Sequence, residues 1–237
     1  MQKVVGYIRH AVDRFGMIED GDKIAVGVSG GKDSLATLMG LHKLSSFYKK
    51  RFEVSALVID PGFGGTCTDF SPVEELCEKN GIPLVIKRSE IGEIVFDRRQ
   101  ETNPCSLCAR MRRGLLHDST KEMGCTKLAL GHNYDDAIET FMMNLFNEGR
   151  IGCFQPVTYM SRKDLTVIRP LVLMPENEVR NAVVRAGFSV VKSQCPIDGH
   201  TGREAAKTYL KELEAADPGV KKRIFGALCR SGLDGWK

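Results

Sequence analysis

Lys23-Ile24-Ala25-Val26-Gly27-Val28-Ser29-Gly30-Gly31-Lys32-Asp33-Ser34 is a short apolar run that breaks into glycine and serine and then into a helical pattern. Lys23 to Val28 reads as a buried strand, and Asp33 to Phe47 as a helix carrying Leu35, Leu38, Met39, Leu41 and Leu44 on its apolar side. A strand, a glycine turn and a helix N-terminus in succession make an anion site. Glycines let backbone N–H groups approach an anion closely, and the helix adds the positive end of its dipole. Lys32 and Ser34 add side-chain donors. A tight turn with Asp33 or Ser34 as a simple N-cap is the structural alternative. Two familiar phosphate loops are excluded. The Walker pattern needs Gly at 26 and Ser or Thr at 33, where the chain has Val26 and Asp33. The dinucleotide fingerprint is broken by Gly27-Val28-Ser29-Gly30. Val28, Ser29, Gly30, Gly31, Lys32, Asp33 and Ser34 are therefore the candidate phosphate-binding set.

Outward from this loop the chain alternates strand and helix. An amphipathic helix is predicted over Met1 to Met17, a strand over Glu53 to Ile59, a helix over Ser71 to Asn80 and a strand over Leu84 to Lys87. A polar stretch from Asp97 to Pro104 leads into Cys105-Ser106-Leu107-Cys108, with a helix after it to about Met123. A strand over Lys127 to Leu130, a helix over Tyr134 to Asn147, a strand over Val167 to Leu171 and a helix begun by Pro175 complete the alternation. The tail from Gly202 to Leu233 reads as helix, broken near Pro218 and Gly219. The pattern predicts an α/β fold with a doubly wound parallel sheet and extra N- and C-terminal helices, with ligands at the carboxyl ends of its strands. The expected division is an N-terminal helix over 1–20, a central domain over 21–190 and a helical tail over 191–237.

With 237 residues, 42% hydrophobic and 27% charged, the chain can bury a core and is not a disordered polymer. No run approaches the roughly 18 apolar residues of a membrane span, and Lys3, Arg9, His10, Asp13 and Arg14 interrupt the N-terminus. A cytoplasmic protein without membrane contact is expected. The net charge of +4 permits nucleic-acid binding without demonstrating it. Its distribution is more telling, because Arg98, Arg99, Arg110, Arg112 and Arg113 are opposed in their stretch only by Glu101. There are eight cysteines. Cys67, Cys77, Cys125, Cys153 and Cys229 have no pairing motif and are expected to be structural, whereas Cys105 and Cys108 form a C-x-x-C pair.

A second motif, Leu130-Gly131-His132-Asn133-Tyr134-Asp135-Asp136, follows one strand and opens a helix carrying Glu139. Adjacent carboxylates at a strand end can hold Mg²⁺ or orient a lysine, and they can equally cap a helix.

Ser29-Gly30-Gly31-Lys32-Asp33-Ser34 resembles the PP-loop of the ATP-pyrophosphatase superfamily, and G-H-x-x-D-D its second signature in RNA-modifying members. The resemblance implies that ATP is split to AMP and pyrophosphate while a substrate oxygen is adenylated and displaced. It also puts adenosine against Val58-Ile59-Asp60, with Ile59, Asp60, Gly131, His132 and Asp136 in nucleotide contact and Asp135 near the reacting centre. Pro104 to Gly114 then closely resembles the cluster-binding segment of the TtcA-like tRNA 2-thiocytidine synthetases. The likeness continues through DD-x-x-E-T, Ile168-Arg169-Pro170-Leu171 and Ser193-Gln194-Cys195-Pro196, with Arg203 and Lys207 at matching offsets. This chain has Gly-His-Asn-Tyr-Asp-Asp where those proteins have G-H-H-R-D-D, and Lys192 where they have a further cysteine.

The resemblance implies a [4Fe-4S] cluster on Cys105, Cys108 and Cys195. Three thiolates leave one iron without a protein ligand, which suits a cluster that handles sulfide rather than one that only transfers electrons. Arg112, four residues beyond Cys108, falls on the same helical face and is a candidate to stabilise an adenylated base, while Asp135 orients or deprotonates it. The partners implied are tRNA, on a surface including Arg110, Arg112, Arg113, Lys207, Lys211, Lys221 and Lys222, and a sulfur donor, either sulfide or a persulfide made by a cysteine desulfurase. A homodimer is also carried as an expectation. Competing readings are the same chemistry on another base or a small molecule, a nitrogen nucleophile, and a zinc-stapled module on Cys105, Cys108, Cys195 and His200.

Overall fold

The structure, a computed structural model, describes residues 1–99, 104–197 and 202–236. Its strands are β1 (Asp22–Gly27), β2 (Phe52–Asp60), β3 (Leu84–Arg88), β4 (Lys127–Ala129), β5 (Val157–Met160) and β6 (Leu165–Ile168). Its helices are α1 (Gln2–Phe15), α2 (Lys32–Ser45), α3 (Ser71–Asn80), α4 (Pro104–Glu122), α5 (Tyr134–Asn147), α6 (Glu176–Ala186), α7 (Gly202–Ala216) and α8 (Val220–Arg230). The six strands lie in the order β3-β2-β1-β4-β6-β5, and every pairing is parallel except β5 with β6.

The central strands β1, β2 and β4 are buried on both faces, and their side chains sort accordingly. Ile24, Val26, Val54, Ala56 and Val58 enter one core with α1, α2 and α6. Ala25, Leu57 and Ile59, the alternate residues, enter a second core with Cys108 and Leu115 of α4. This alternation is the pleat of a sheet covered on both sides, and it explains the uninterrupted apolar runs in the sequence. α1 sends Val4, Val5, Ile8, Ala11, Val12 and Phe15 into the first core and ends at Gly16, which has a left-handed φ of 62°. The helix starts and stops otherwise fall close to expectation, including the break between α7 and α8 around Pro218.

Four details differ from the sequence reading. The helix carrying the cysteine pair begins at Pro104, so Cys105 and Cys108 sit on α4 itself, because Pro104 occupies a first-turn position that needs no donor. Residues 93–98 form a π-helical turn in which Val95 is buried, and its end takes in Asp97 and Arg98, the start of the expected polar stretch. β6 stops at Ile168, before Pro170, which has no N–H to give a ladder. β5 was not foreseen; it is a half-buried edge strand, bonded to a single partner, and too short to show a period.

The sheet reverses direction of growth at β1, which has β2 on one side and β4 on the other. Both motifs of the sequence leave the sheet at this switch, one after β1 and one after β4. A crevice opens there by construction. Among the described residues no helix is long and apolar enough to cross a membrane.

Candidate functional site

The phosphate loop is held shut by its own serines. Ser34 Oγ donates to Gly31 O (2.8 Å) and accepts from Ser29 N (3.2 Å), while Gly31 N donates to Ser29 Oγ (3.3 Å). Ser34 was expected to offer its hydroxyl to an anion; it is buried and used inside the loop. Gly30 has a φ of +79°, and a Cβ there would lie 2.6 Å from Val191 Cβ. Val191 N also donates to Gly30 O (3.0 Å). The segment leading to Cys195 is thus strapped across the loop. On the other side Gly131 meets the start of α2, where a Cβ would lie 2.9 Å from Asp33 C and O. Only glycine permits the two motifs to touch.

A network of charges ties the motifs together. Asp33 Oδ2 takes Lys32 Nζ (2.7 Å), and Asp33 Oδ1 takes Asn133 Nδ2 (3.1 Å). Asn133 caps α5 reciprocally with Asp136. Lys32 also pairs with Glu176 (2.9 Å), and burial, which lowers its pKa, is outweighed by these two acids. Burial likewise would raise the pKa of Glu176, but Lys32 and Lys207 hold it down to about 2.

The carboxylates of the second motif are occupied by the tail. Asp135 accepts from Glu176 N (2.8 Å) and pairs with Lys221 (2.9 Å). Asp136 pairs with Arg203 (2.6 Å). Asp135 thus orients a lysine, and Asp136 caps α5 through Asn133 N. Of the residues expected on the tRNA surface, Arg110, Arg113, Lys211 and Lys222 are exposed, while Arg112, Lys207 and Lys221 are half-buried, Lys207 paired with Glu176 and Lys221 with Asp135. Glu139 is buried behind Asp136, and burial, then Asp136, raises its pKa to about 7.

His132 Nδ1 accepts from Arg169 Nε (3.2 Å), and its ring lies 4.9 Å from that of Phe154. Burial, then Arg169, pushes its pKa down to about 3, so the ring is neutral with its proton on Nε2. Arg169 is buried too, which lowers its pKa to about 10 and leaves it charged at neutral pH.

Two cavities of about 270 Å³ flank the loop and share Ser29, Ile59 and Arg112. The inner one has apolar walls from Val28, Leu116 and Leu130 beside Asp33, Gly131 and His132. The outer one is lined by Phe63, Phe70, Thr68 and Gln194 and reaches Gly31. Ile59 serves both, as expected at the end of β2. Asp60, expected against the nucleotide, uses its side chain within the protein. Its carboxylate accepts from Gly62 N (3.2 Å), Thr68 N (3.0 Å) and Thr68 Oγ1 (3.0 Å), folding the 61–68 loop that walls the outer cavity.

The cysteines meet at the same mouth. Cys108 is buried against Ile59, Phe63 and Val95, and Cys195 packs on that cluster. Burial raises the pKa of Cys108; Arg112 opposes this, and the nearby thiols of Cys195 and Cys105 add to it. The three thiols and the Arg112 cation therefore share one neighbourhood, and the donor set suits an iron–sulfur cluster. Among the described residues no three ligating groups stand at metal-binding separation, so the triad is gathered but not closed. His200, the fourth ligand of the zinc alternative, lies outside the described residues. Cys77, Cys125, Cys153 and Cys229 are at least half-buried, in keeping with structural roles, but Cys67 is exposed on the glycine-rich loop.

Sequence reasoning missed Glu176, Thr68 and Val191, which stand in no motif, and gave no role to Gln194 although it quoted it beside Cys195; only the tertiary fold brings them to the loop. Asn133 lay within the second motif, and its polar type before two acids was the available signal of a cap.

Fold and site together define a PP-loop nucleotide-binding protein, and residues 6–199 match the PP-loop domain family model. The chain is 38% identical over 228 residues to the tRNA-cytidine(32) 2-sulfurtransferase of Pelobacter propionicus, covering 93% of this chain and 84% of that one. It is 38% identical over 230 residues to the protein of the same name from Geotalea daltonii, covering 96% and 90%. Among solved structures it is similar to the U34-tRNA thiolase NcsA from Methanococcus maripaludis with its [4Fe-4S] cluster: TM-score 0.80, 28% identity, 97% of this chain and 78% of that one. The chain belongs to the PP-loop family and, within it, to the tRNA-cytidine(32) 2-sulfurtransferases, enzymes of tRNA thiolation.

Proposed function

We propose that this protein is an ATP-dependent tRNA sulfurtransferase that replaces the C2 oxygen of a cytosine with sulfur. The observation that carries the reading is the meeting of the phosphate loop and the three cysteines around one cation, Arg112.

In this reading adenosine occupies the inner cavity, with its base between Ile59, Leu116 and Leu130 and its phosphates on the loop. The N-terminus of α2 and the backbone of Ser29 to Lys32 receive the phosphates, and Lys32 turns from Glu176 toward them. Neutral His132 donates from Nε2. Mg²⁺ enters with ATP and neutralises its phosphates; Asp33, Asp135 and Asp136 are already paired within the chain, so they order the cationic side chains around it. The target base leaves its stack to enter the outer cavity, as a base must to reach an enclosed site. Its C2 oxygen attacks the α-phosphorus and pyrophosphate departs. Arg112 faces both cavities and stabilises the negative charge on the α-phosphate between them as pyrophosphate, and later AMP, departs. Cys105, Cys108 and Cys195 would hold the [4Fe-4S] cluster, which when bound supplies the sulfur nucleophile through its iron without a protein ligand. Sulfur adds at C2, and AMP leaves with the former C2 oxygen. Asp135, fixed by Lys221 and Glu176 N, acts by positioning the tail rather than as a proton acceptor.

Exposed Arg110 and Arg113 contribute to the tRNA-binding face. Sulfide, or a persulfide from a cysteine desulfurase, is the sulfur source, the protein works in the cytoplasm, and exposed Leu145, Phe146 and Ile151 offer an apolar surface for a homodimer. The test is pyrophosphate release by anaerobically reconstituted protein with ATP and sulfide. It should depend on tRNA and match thionucleoside formed. Release without thionucleoside would overturn the reading.

A further inference from the structure

The outer cavity contains a hydrogen-bond chain with a direction. Asp60 is almost fully buried and its carboxylate is an acceptor only. Two backbone N–H groups, from Gly62 and Thr68, already point at it, and Thr68 Oγ1 stands 3.0 Å from its Oδ1. The same Oγ1 stands 3.3 Å from the side-chain amide of Gln194, at Oε1. A hydroxyl has one hydrogen. The shorter, charge-assisted contact takes it, so Thr68 donates to Asp60. Toward Gln194 the hydroxyl then presents lone pairs, and a carbonyl oxygen there would be repelled. The two ends of a carboxamide are the same size, and the network decides between them. The amide must turn its NH₂ to Thr68 and its carbonyl oxygen away.

Gln194 lines the outer cavity, together with Phe63, Phe70, Gly31 and Arg112, and it immediately precedes Cys195. Its carbonyl is therefore an acceptor of fixed sense beside the place where the base must sit between the loop and the cysteines. Cytosine offers an amino donor at position 4, whereas uracil offers a carbonyl acceptor there. A fixed acceptor bonds the first and repels the second. Phe63 and Phe70, largely buried in the cores, make the wall of this cavity apolar where they border it.

We propose that the Gln194 carboxamide reads the 4-amino group of the target cytosine, with Asp60 and Thr68 fixing its orientation. This rests on the proposed function, and it makes Gln194 a specificity-determining residue and Thr68 a positioning one.

The experiment is a cycle between protein and base. Cluster-reconstituted full-length enzyme is given ATP, sulfide and tRNA carrying cytosine, uracil or 2-pyrimidinone (cytosine without its amino group) at the thiolated position, and single-turnover rates are measured. Wild type should favour cytosine over 2-pyrimidinone by roughly tenfold to a hundredfold. Gln194→Met should lower the cytosine rate to that of 2-pyrimidinone, leaving the two within about twofold, with ATP affinity and cluster absorbance at wild-type values. Thr68→Val should free the amide to turn and raise the uracil-to-cytosine ratio, and Thr68→Ser should restore it. The proposal is overturned if Gln194→Met keeps the wild-type base preference, or if its only defect is weaker ATP binding, which would give the outer cavity to adenosine. A wild-type enzyme that thiolates no cytosine-bearing tRNA overturns the proposed function and this inference with it.

Discussion

The phosphate loop and the cysteine mouth are built on opposite plans. The loop is a strand, a turn and a helix in direct succession, closed by its own serines and braced by Gly131, Asn133 and Asp33. The cysteines come from two segments far apart in the chain; Cys108 and Cys195 share an apolar cluster while Cys105 is exposed, and among the described residues no three ligating groups stand at metal-binding separation. In the proposed reading one half of the site is preorganised and the other would be completed by the cluster it holds, as metal sites commonly are. An anion site made of backbone N–H groups exists once the fold exists, whereas thiolates held close together repel until a metal neutralises them.

Breaking the second half should therefore silence the chemistry and spare the nucleotide. Cys108→Ser should abolish thiolation while ATP affinity, read by calorimetry, stays unchanged. A variant that thiolates normally would show that the cysteines are not the sulfur centre. Breaking the first half should do the reverse. Asp33→Ala removes the acceptor for Lys32 and Asn133 and should weaken ATP binding by roughly tenfold to a hundredfold, given about 1.5–3 kcal/mol for a charged hydrogen bond. Its cluster absorbance should match wild type.

The brace beneath the loop has a pH signature. The pKa of Glu176 is lowered from 4.5 to about 2 in the fold. A depressed carboxylate contributes stability that is complete above its unfolded pKa and lost as pH falls through the folded one. The deficit of Glu176→Gln in urea unfolding should thus be on the order of 2–3 kcal/mol at pH 7 and shrink between pH 4.5 and 2. A deficit that is constant with pH would remove the ion pairs from the account. Gly131→Ala should push the two motifs apart and cost about 1–3 kcal/mol, with ATP affinity falling alongside the melting temperature. The smallest effect is expected at Cys67. Exposed and outside the triad, Cys67→Ser should change stability by less than about 0.5 kcal/mol and leave cluster absorbance intact.

The same contrast explains what the sequence disclosed. Ser29 to Ser34 and Gly131 to Asp136 were legible because their chemistry is local: strand, turn and cap follow each other along the chain. Cys105 and Cys108 were legible as a pair, and the resemblance brought in Cys195. What stayed hidden depends on distant partners. That Asp135 pairs with Lys221 and Asp136 with Arg203 could not be read from the motif. That Lys207 pairs with Glu176 could not be read either. Asp60 looks like a nucleotide contact until the loop it folds is in view. The β5 edge was hidden for another reason: four half-buried or exposed residues carry too little pattern to separate strand from loop.

The most direct test of the account joins its two halves in one tube. Reconstituted enzyme, ATP, sulfide and tRNA are incubated without oxygen, and the tRNA is digested to nucleosides for mass spectrometry while AMP and pyrophosphate are counted. The account predicts 2-thiocytidine in equal amount to AMP and pyrophosphate, lost with Cys108→Ser. Nucleotide cleavage with every pyrimidine unchanged, or thiolation that survives that substitution, would contradict it.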